Sequence, residues 1–169
     1  MNKEIELELQ QELFKGNVLD IGVNNNGVIY NVHKYFNKDL EVEYINGKEE
    51  EKNIEKGYYD SCVLFFTLSS LYFKLNKRNL FKDIYDYLKK DGYIYIWDID
   101  KGYSKIFINK IKILLPEEKV KEINIRDINI FEDNSKETIL KLLGEYFTVT
   151  DLKEKKGLYY IKAQKKNNI

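Results

Sequence analysis

The chain has 169 residues, enough to bury the core of one domain. Its 28 Lys and Arg balance its 28 Asp and Glu, and only Arg78 and Arg126 of the basic residues are arginine. A neutral chain so poor in the residue that best grips phosphates and base edges excludes a nucleic-acid footprint, and it offers no charge attraction to an anionic membrane.

The chain opens on "MNKEIELELQQELF", which is charged and lacks the apolar core of a secretion signal. The longest apolar run, "CVLFFTLSSLYF" (62–73), is too short to cross a bilayer, so a cytoplasmic protein is expected. Cys62 is the only cysteine and His33 the only histidine, which rules out an internal disulfide and a closed His/Cys zinc site. No metal is expected. A nucleophilic Cys–His pair would require these two residues to meet.

In chain order, "NVLDI" (17–21) reads as a short buried strand. From Gly27 the apolar residues Val28, Val32, Tyr35 and Phe36 recur on one helical face. "LEVEYI" (40–45) alternates as a second strand, and "DSCVLFF" (60–66) reads as a third, buried on both faces. Leu80, Phe81, Ile84, Tyr85 and Leu88 then stripe a helix, with Lys89 and Lys90 suiting its C-terminal dipole and Gly92 its left-handed stop. "YIYIWDI" (93–99) follows as a strand.

Residues 100–133 are less regular. "YSKIFINKIKILLPEEK" (103–119) is amphipathic, with Tyr103, Ile106, Phe107, Ile111 and Leu114 on one side, and "EINIRDINIF" (122–131) alternates. An insertion at this point is expected to lie over the carboxyl ends of the strands, as a substrate cap or as an extension of the core. Asn134 with Glu137 resembles a capping box for a helix through about 145. "YFTVTDL" (146–152) and "LYYIKAQ" (158–164), joined by "KEKKG", close the chain as a hairpin. This order predicts a single α/β domain over 1–169, with an open, mostly parallel sheet of six strands and a C-terminal antiparallel hairpin.

In such sheets ligands bind at the carboxyl ends, where the strand order reverses beside the first strand. "VLDIGVNNNG" (18–27) occupies that place. Glycine or asparagine supplies the left-handed turn there, and a helix start supplies free N–H groups. By spacing alone, Gly22-x-Asn24-x-x-Gly27 is a dinucleotide fingerprint with its middle glycine replaced, which points to NAD with Glu41 or Glu43 on the ribose. Asp20 two places before the loop, and a terminal hairpin in place of a second nucleotide-binding half, point elsewhere.

With these motifs in order, the chain resembles the class I S-adenosylmethionine-dependent methyltransferases, particularly the small bacterial ones. "VLDIGVNNNG" is similar to their first motif, Asp-x-Gly-x-Gly-x-Gly, which binds the methionine part of the cofactor. "YYDSCVLFFTLSSL" (58–71) looks like the fourth-strand motif and puts Phe66 at its end, and "LKKDGYIYIWDID" (88–100) looks like the helix end and fifth strand. The resemblance implies a Rossmann-like methyltransferase-type sheet, S-adenosylmethionine as cofactor and methyl transfer to a small-molecule substrate. It assigns cofactor contacts to Asp20, Gly22, Asn24, Asn26, Gly27 and Phe66.

Three departures bear on function. Two loop glycines of the family are Asn24 and Asn26 here. The ribose-binding acid has Glu43 as its nearest carboxylate, while the pattern puts Tyr44 or Asn46 in its place. Only 14 residues, 46–59, join the second strand to Asp60, against a helix and a strand in the family. Extended, they reach roughly 46 Å, enough to cross the first strand. The third family strand is therefore expected to be missing. The alternative function is a methyltransferase-like protein that has lost the cofactor and serves as a binding or partner subunit. No residue stands out as catalytic.

Overall fold

A computed structural model describes residues 4–22, 27–45, 54–71 and 74–167. Its elements are β1 (Ile5–Glu8), β2 (Val18–Ile21), α1 (Val28–Phe36), β3 (Val42–Ile45), β4 (Tyr59–Phe65), α2 (Lys74–Tyr87), β5 (Leu88–Ile99), β6 (Phe107–Leu114), β7 (Val120–Asp127), α3 (Lys136–Leu143), β8 (Phe147–Lys155) and β9 (Leu158–Lys165). Six strands form one sheet in the order β3-β2-β4-β5-β9-β8, with β3, β2, β4 and β5 parallel and β9 antiparallel to both neighbours. This is the expected Rossmann-like sheet with its terminal hairpin. Among the described residues no strand lies beyond β3, where the family's third strand would pair.

Alternation along the strands builds a core on each face of the sheet. Val63, Tyr95, Trp97 and Tyr160 point to the face that carries α1, which buries Val28, Ile29 and Val32 there. Cys62, Leu64, Ile94 and Ile96 point to the other face, against Phe81 and Ile84 of α2 and Ile139, Leu142 and Leu143 of α3. His33 is buried against Phe14 on the first face and Cys62 on the second, so the sheet itself separates the Cys–His pair.

Three local readings need correction. Residues 107–127 are an antiparallel hairpin, β6–β7: β6 replaces the helical stripe read over 103–119, while β7 overlaps the alternating 122–131. Together with β1, unrecognised in the sequence, it makes a second, three-stranded sheet in the order β1-β6-β7. Phe107, Ile111, Ile113 and Leu115 face inward at a strand's period of two, while Tyr103 and Ile106 of the supposed stripe are exposed. The small sheet shares the α1-side core with Val63, Phe65, Tyr95, Trp97 and Tyr160. It is thus a layer on the sheet face that extends the core, the alternative to a cap over the strand ends.

The second correction concerns Gly92. Asp91 takes the left-handed turn (φ 62°), and Gly92 serves close packing, because a Cβ there would lie 3.0 Å from the Lys89 carbonyl oxygen. The third concerns Asn134. Ser135 is the N-cap of α3 and its own side chain makes no cap bond; the Asp100 carboxylate accepts the Lys136 N–H at 2.9 Å, and the Asn134 amide is spent on β5, as described below.

Candidate functional site

The strand order reverses at β2. From its end the chain goes through α1 to β3 on one side, while β4 flanks the other. The crevice between β2 and β4 is where this kind of sheet takes its ligand. Asp20 lies in β2 and is buried, in register with Tyr44 of β3 and Val63 of β4. Gly22 follows, also buried. Gly27 then sits in the left-handed region (φ 69°) as N-cap of α1 and accepts the Asn31 N–H at 3.0 Å. A Cβ on Gly27 would meet only open space and the Asn31 amide at 4.0 Å, so this glycine is required for its turn and not for crowding. Asn24 and Asn26 lie outside the described residues.

The opposite lip is the turn after β4. Phe66 carries a positive φ of 53°, a conformation that costs a bulky residue about 1–3 kcal/mol and that clusters at functional sites. Its N–H donates to the Trp97 carbonyl (2.8 Å), and the Thr67 hydroxyl donates across the crevice to the Ile21 carbonyl (2.7 Å). Thr67 was not singled out in the sequence, where a hydroxyl after an apolar strand carries no distinguishing signal.

Beneath this lip Asp98 of β5 is fully buried. One carboxylate oxygen accepts the N–H groups of Leu68 (2.8 Å) and Ser69 (3.2 Å); the other accepts those of Ile99 (2.8 Å) and the Asn134 amide (3.2 Å). The Asn134 amide also donates to the Ile99 carbonyl at 2.8 Å. Burial pushes Asp98 up to about 6 against the pull of its N–H donors. Asp98 thus holds the turn, Leu68–Ser70, that sets the crevice wall.

Of the ribose candidates Asn46 lies outside the described residues, and Glu43 and Tyr44 part ways. Glu43 is exposed, in register with Leu19, and accepts a hydrogen bond from the Tyr59 hydroxyl; burial and this carboxylate push the Tyr59 phenol up. Tyr44, one residue on and so on the opposite face of β3, donates its hydroxyl to the Gly22 carbonyl at 3.2 Å. The structure therefore brings Asp20, Gly22, Gly27 and Phe66 to the strand ends and ties Tyr44 to the loop, while Glu43 is engaged elsewhere. Asp60 clamps the entry to β2. It accepts the Asn17 N–H at 2.9 Å and pairs with Lys89 at 2.9 Å.

Burial against the Phe14 ring pushes His33 below its ordinary value, on the inner face of α1. Among the described residues no helix is long and apolar enough to cross a membrane, and no three His, Cys, Asp or Glu cluster as metal ligands.

No protein-family model matches the sequence, and no curated protein does. Solved structures do match. A methyltransferase dependent on S-adenosylmethionine from Mesorhizobium loti superposes with a TM-score of 0.54 at 9% identity, over 88% of this chain and 90% of that one. A SAM-dependent methyltransferase from Methanosarcina mazei gives 0.52 at 14% identity, over 97% and 92%. PigF, solved with SAH, gives 0.57 at 12% identity over 89% of this chain and 50% of its own. With the strand order, the crevice and these likenesses together, the chain has the fold of the class I S-adenosylmethionine-dependent methyltransferases.

Proposed function

We propose that the protein is a methyltransferase that binds S-adenosylmethionine in the crevice between β2 and β4 and acts on a small molecule. The observation that carries this reading is the conjunction at one crevice of a buried strand-end acid, Asp20, with Gly22 and a left-handed Gly27 opening a helix. These residues fit the methionine end of the cofactor: a carboxylate for its amino group and helix-start N–H groups for its carboxylate. Asn24 and Asn26 belong to the same loop, and Phe66 would wall the crevice near the reacting end. The cofactor would supply a methyl group already activated on a sulfonium, so the protein's task is orientation and exclusion of water. No general acid or base is demanded of these residues. The fit is poorer at the ribose, where Glu43 is engaged by Tyr59.

That misfit favours a second reading, a methyltransferase-like binding or partner subunit without cofactor. The Tyr44 hydroxyl bonded to the Gly22 carbonyl ties an aromatic residue to the edge of the crevice that a ribose would need.

Thermal unfolding with S-adenosylmethionine and S-adenosylhomocysteine separates the two. A ligand at a hundredfold excess over its dissociation constant adds about 2.7 kcal/mol. For a chain of this size the midpoint should rise by roughly 5–11 °C. An unchanged midpoint at millimolar ligand would reject the enzyme and leave the partner subunit.

A further inference from the structure

Beyond Phe66, on the α1 side of the sheet, a cleft of about 260 Å³ opens between the N-terminal segment and the β8–β9 hairpin. Its walls are aromatic. The Trp97 and Tyr160 rings stack with centroids 4.7 Å apart and planes at 38°, and Phe66 closes the end nearest the crevice. Both Trp97 (4% exposed) and Tyr160 (8%) are almost entirely buried. Neither the indole N–H nor the phenol is a buried, unpartnered group among the described residues; with no protein partner, their polar tips are open to the solvent of the cleft.

The charges around the cleft sort unequally. Glu6 lies 3.9 Å from Lys112, Glu8 lies 3.9 Å from Lys155, and Glu154 pairs with Lys136. Lys153 sits 3.3 Å from Asp151, with its ammonium 5.2 Å from the Tyr160 ring centroid, so one face of that ring already carries a cation. Glu12 is different. It is partly buried and, among the described residues, its carboxylate has no ion pair and no hydrogen bond; Lys153 and Lys162 act on it only from a distance. Burial holds it above the usual carboxylate range. A carboxylate removed from water calls for a compensating cation, and aromatic faces attract the same charge.

We infer that this cleft binds a small organic amine as its cation, with the ammonium at Glu12 and an apolar or aromatic body against Trp97, Tyr160 and Phe66. Because Phe66 borders both cleft and crevice, the amine is also the small-molecule substrate, a clause that rests on the methyltransferase reading; the binding itself does not.

Trp97 is the only tryptophan, so its fluorescence reads the cleft directly, without cofactor. The probes are phenethylamine, phenethyl alcohol and phenylacetate, which vary the charge on one ring system. Phenethylamine should give a saturable change and bind at least roughly tenfold more tightly than phenylacetate; Glu12→Gln should weaken it by a similar factor and leave the alcohol unaffected. Tyr160→Phe, which keeps the ring, should retain the preference for the amine. Equal binding of amine and acid, an unchanged amine affinity in Glu12→Gln, loss of the preference in Tyr160→Phe, or no saturable response would each overturn the inference. A failure here alongside a cofactor-induced thermal shift would remove the amine and spare the methyltransferase; the converse result would do the opposite.

Discussion

Gly16 packs where a side chain has no room. It stands at φ 59°, and a Cβ built on it would lie 2.1 Å from the Asp60 carboxylate oxygen that accepts the Asn17 N–H. That hydrogen bond fixes the entry into β2, and through it the position of Asp20 and Gly22. Gly16→Ala should therefore cost about 1–3 kcal/mol in backbone strain and about 1 kcal/mol more as the clamp is displaced. Urea unfolding measures the sum. A loss below about 0.5 kcal/mol, the level of an indifferent surface change, would mean that the loop entry adapts and that Asp60 is not its clamp. Gly27, equally left-handed but with open space around it, would pay the strain without the collision.

At the level of elements, β6 offers the sharpest test of the second layer. Phe107 is 8% exposed and its ring lies 3.3 Å from where a Cβ on Gly157 would stand, so it ties the small sheet to the β8–β9 turn. Phe107→Ala should lose about 3–5 kcal/mol in urea unfolding; a loss under 1 kcal/mol would show that the layer is only loosely attached. The same strand shows what could be read in advance. The six strands of the main sheet, α1 and α2 were legible because strand and helix periods alternated cleanly and the turns between them were polar. In 103–119 the two periods overlap: Phe107 and Ile111 fit both, and the decisive residues, Ile113 and Leu115, lie outside the helical stripe. β1 was legible in principle, since Ile5, Leu7 and Leu9 alternate with glutamates, but its partner strand, β6, is about a hundred residues away in sequence. The site divides in the same manner. Asp20, Gly22 and Gly27 lie in one continuous stretch whose turn chemistry is local. Glu12, Trp97 and Tyr160 meet only through the fold, and the Asn134 side chain, which resembled a cap, is used by Asp98 36 residues earlier.

For the molecule as a whole, the two cores lie on opposite faces of one sheet, and the chain carries a single natural probe of each. Trp97 reports the face shared by α1 and the small sheet; Cys62, fully buried in β4, reports the face under α2 and α3. Both side chains hang from neighbouring strands, with Cys62 in register with Ile94 and Phe65 with Trp97. Removing either layer would therefore expose apolar residues of the strands that support the other. That coupling predicts that the two cores unfold as one cooperative unit. Tryptophan fluorescence and the reactivity of the Cys62 thiol should change at the same urea concentration, with the same dependence on denaturant. If Trp97 is exposed at lower urea while Cys62 stays protected, the small sheet and α1 detach as a separate unit, and the cleft between the N-terminal segment and the β8–β9 hairpin would open before the main sheet unfolds. Coincidence of the two probes places the cleft, the crevice and both cores under one transition, so that a ligand bound at either site would raise the stability reported from both faces.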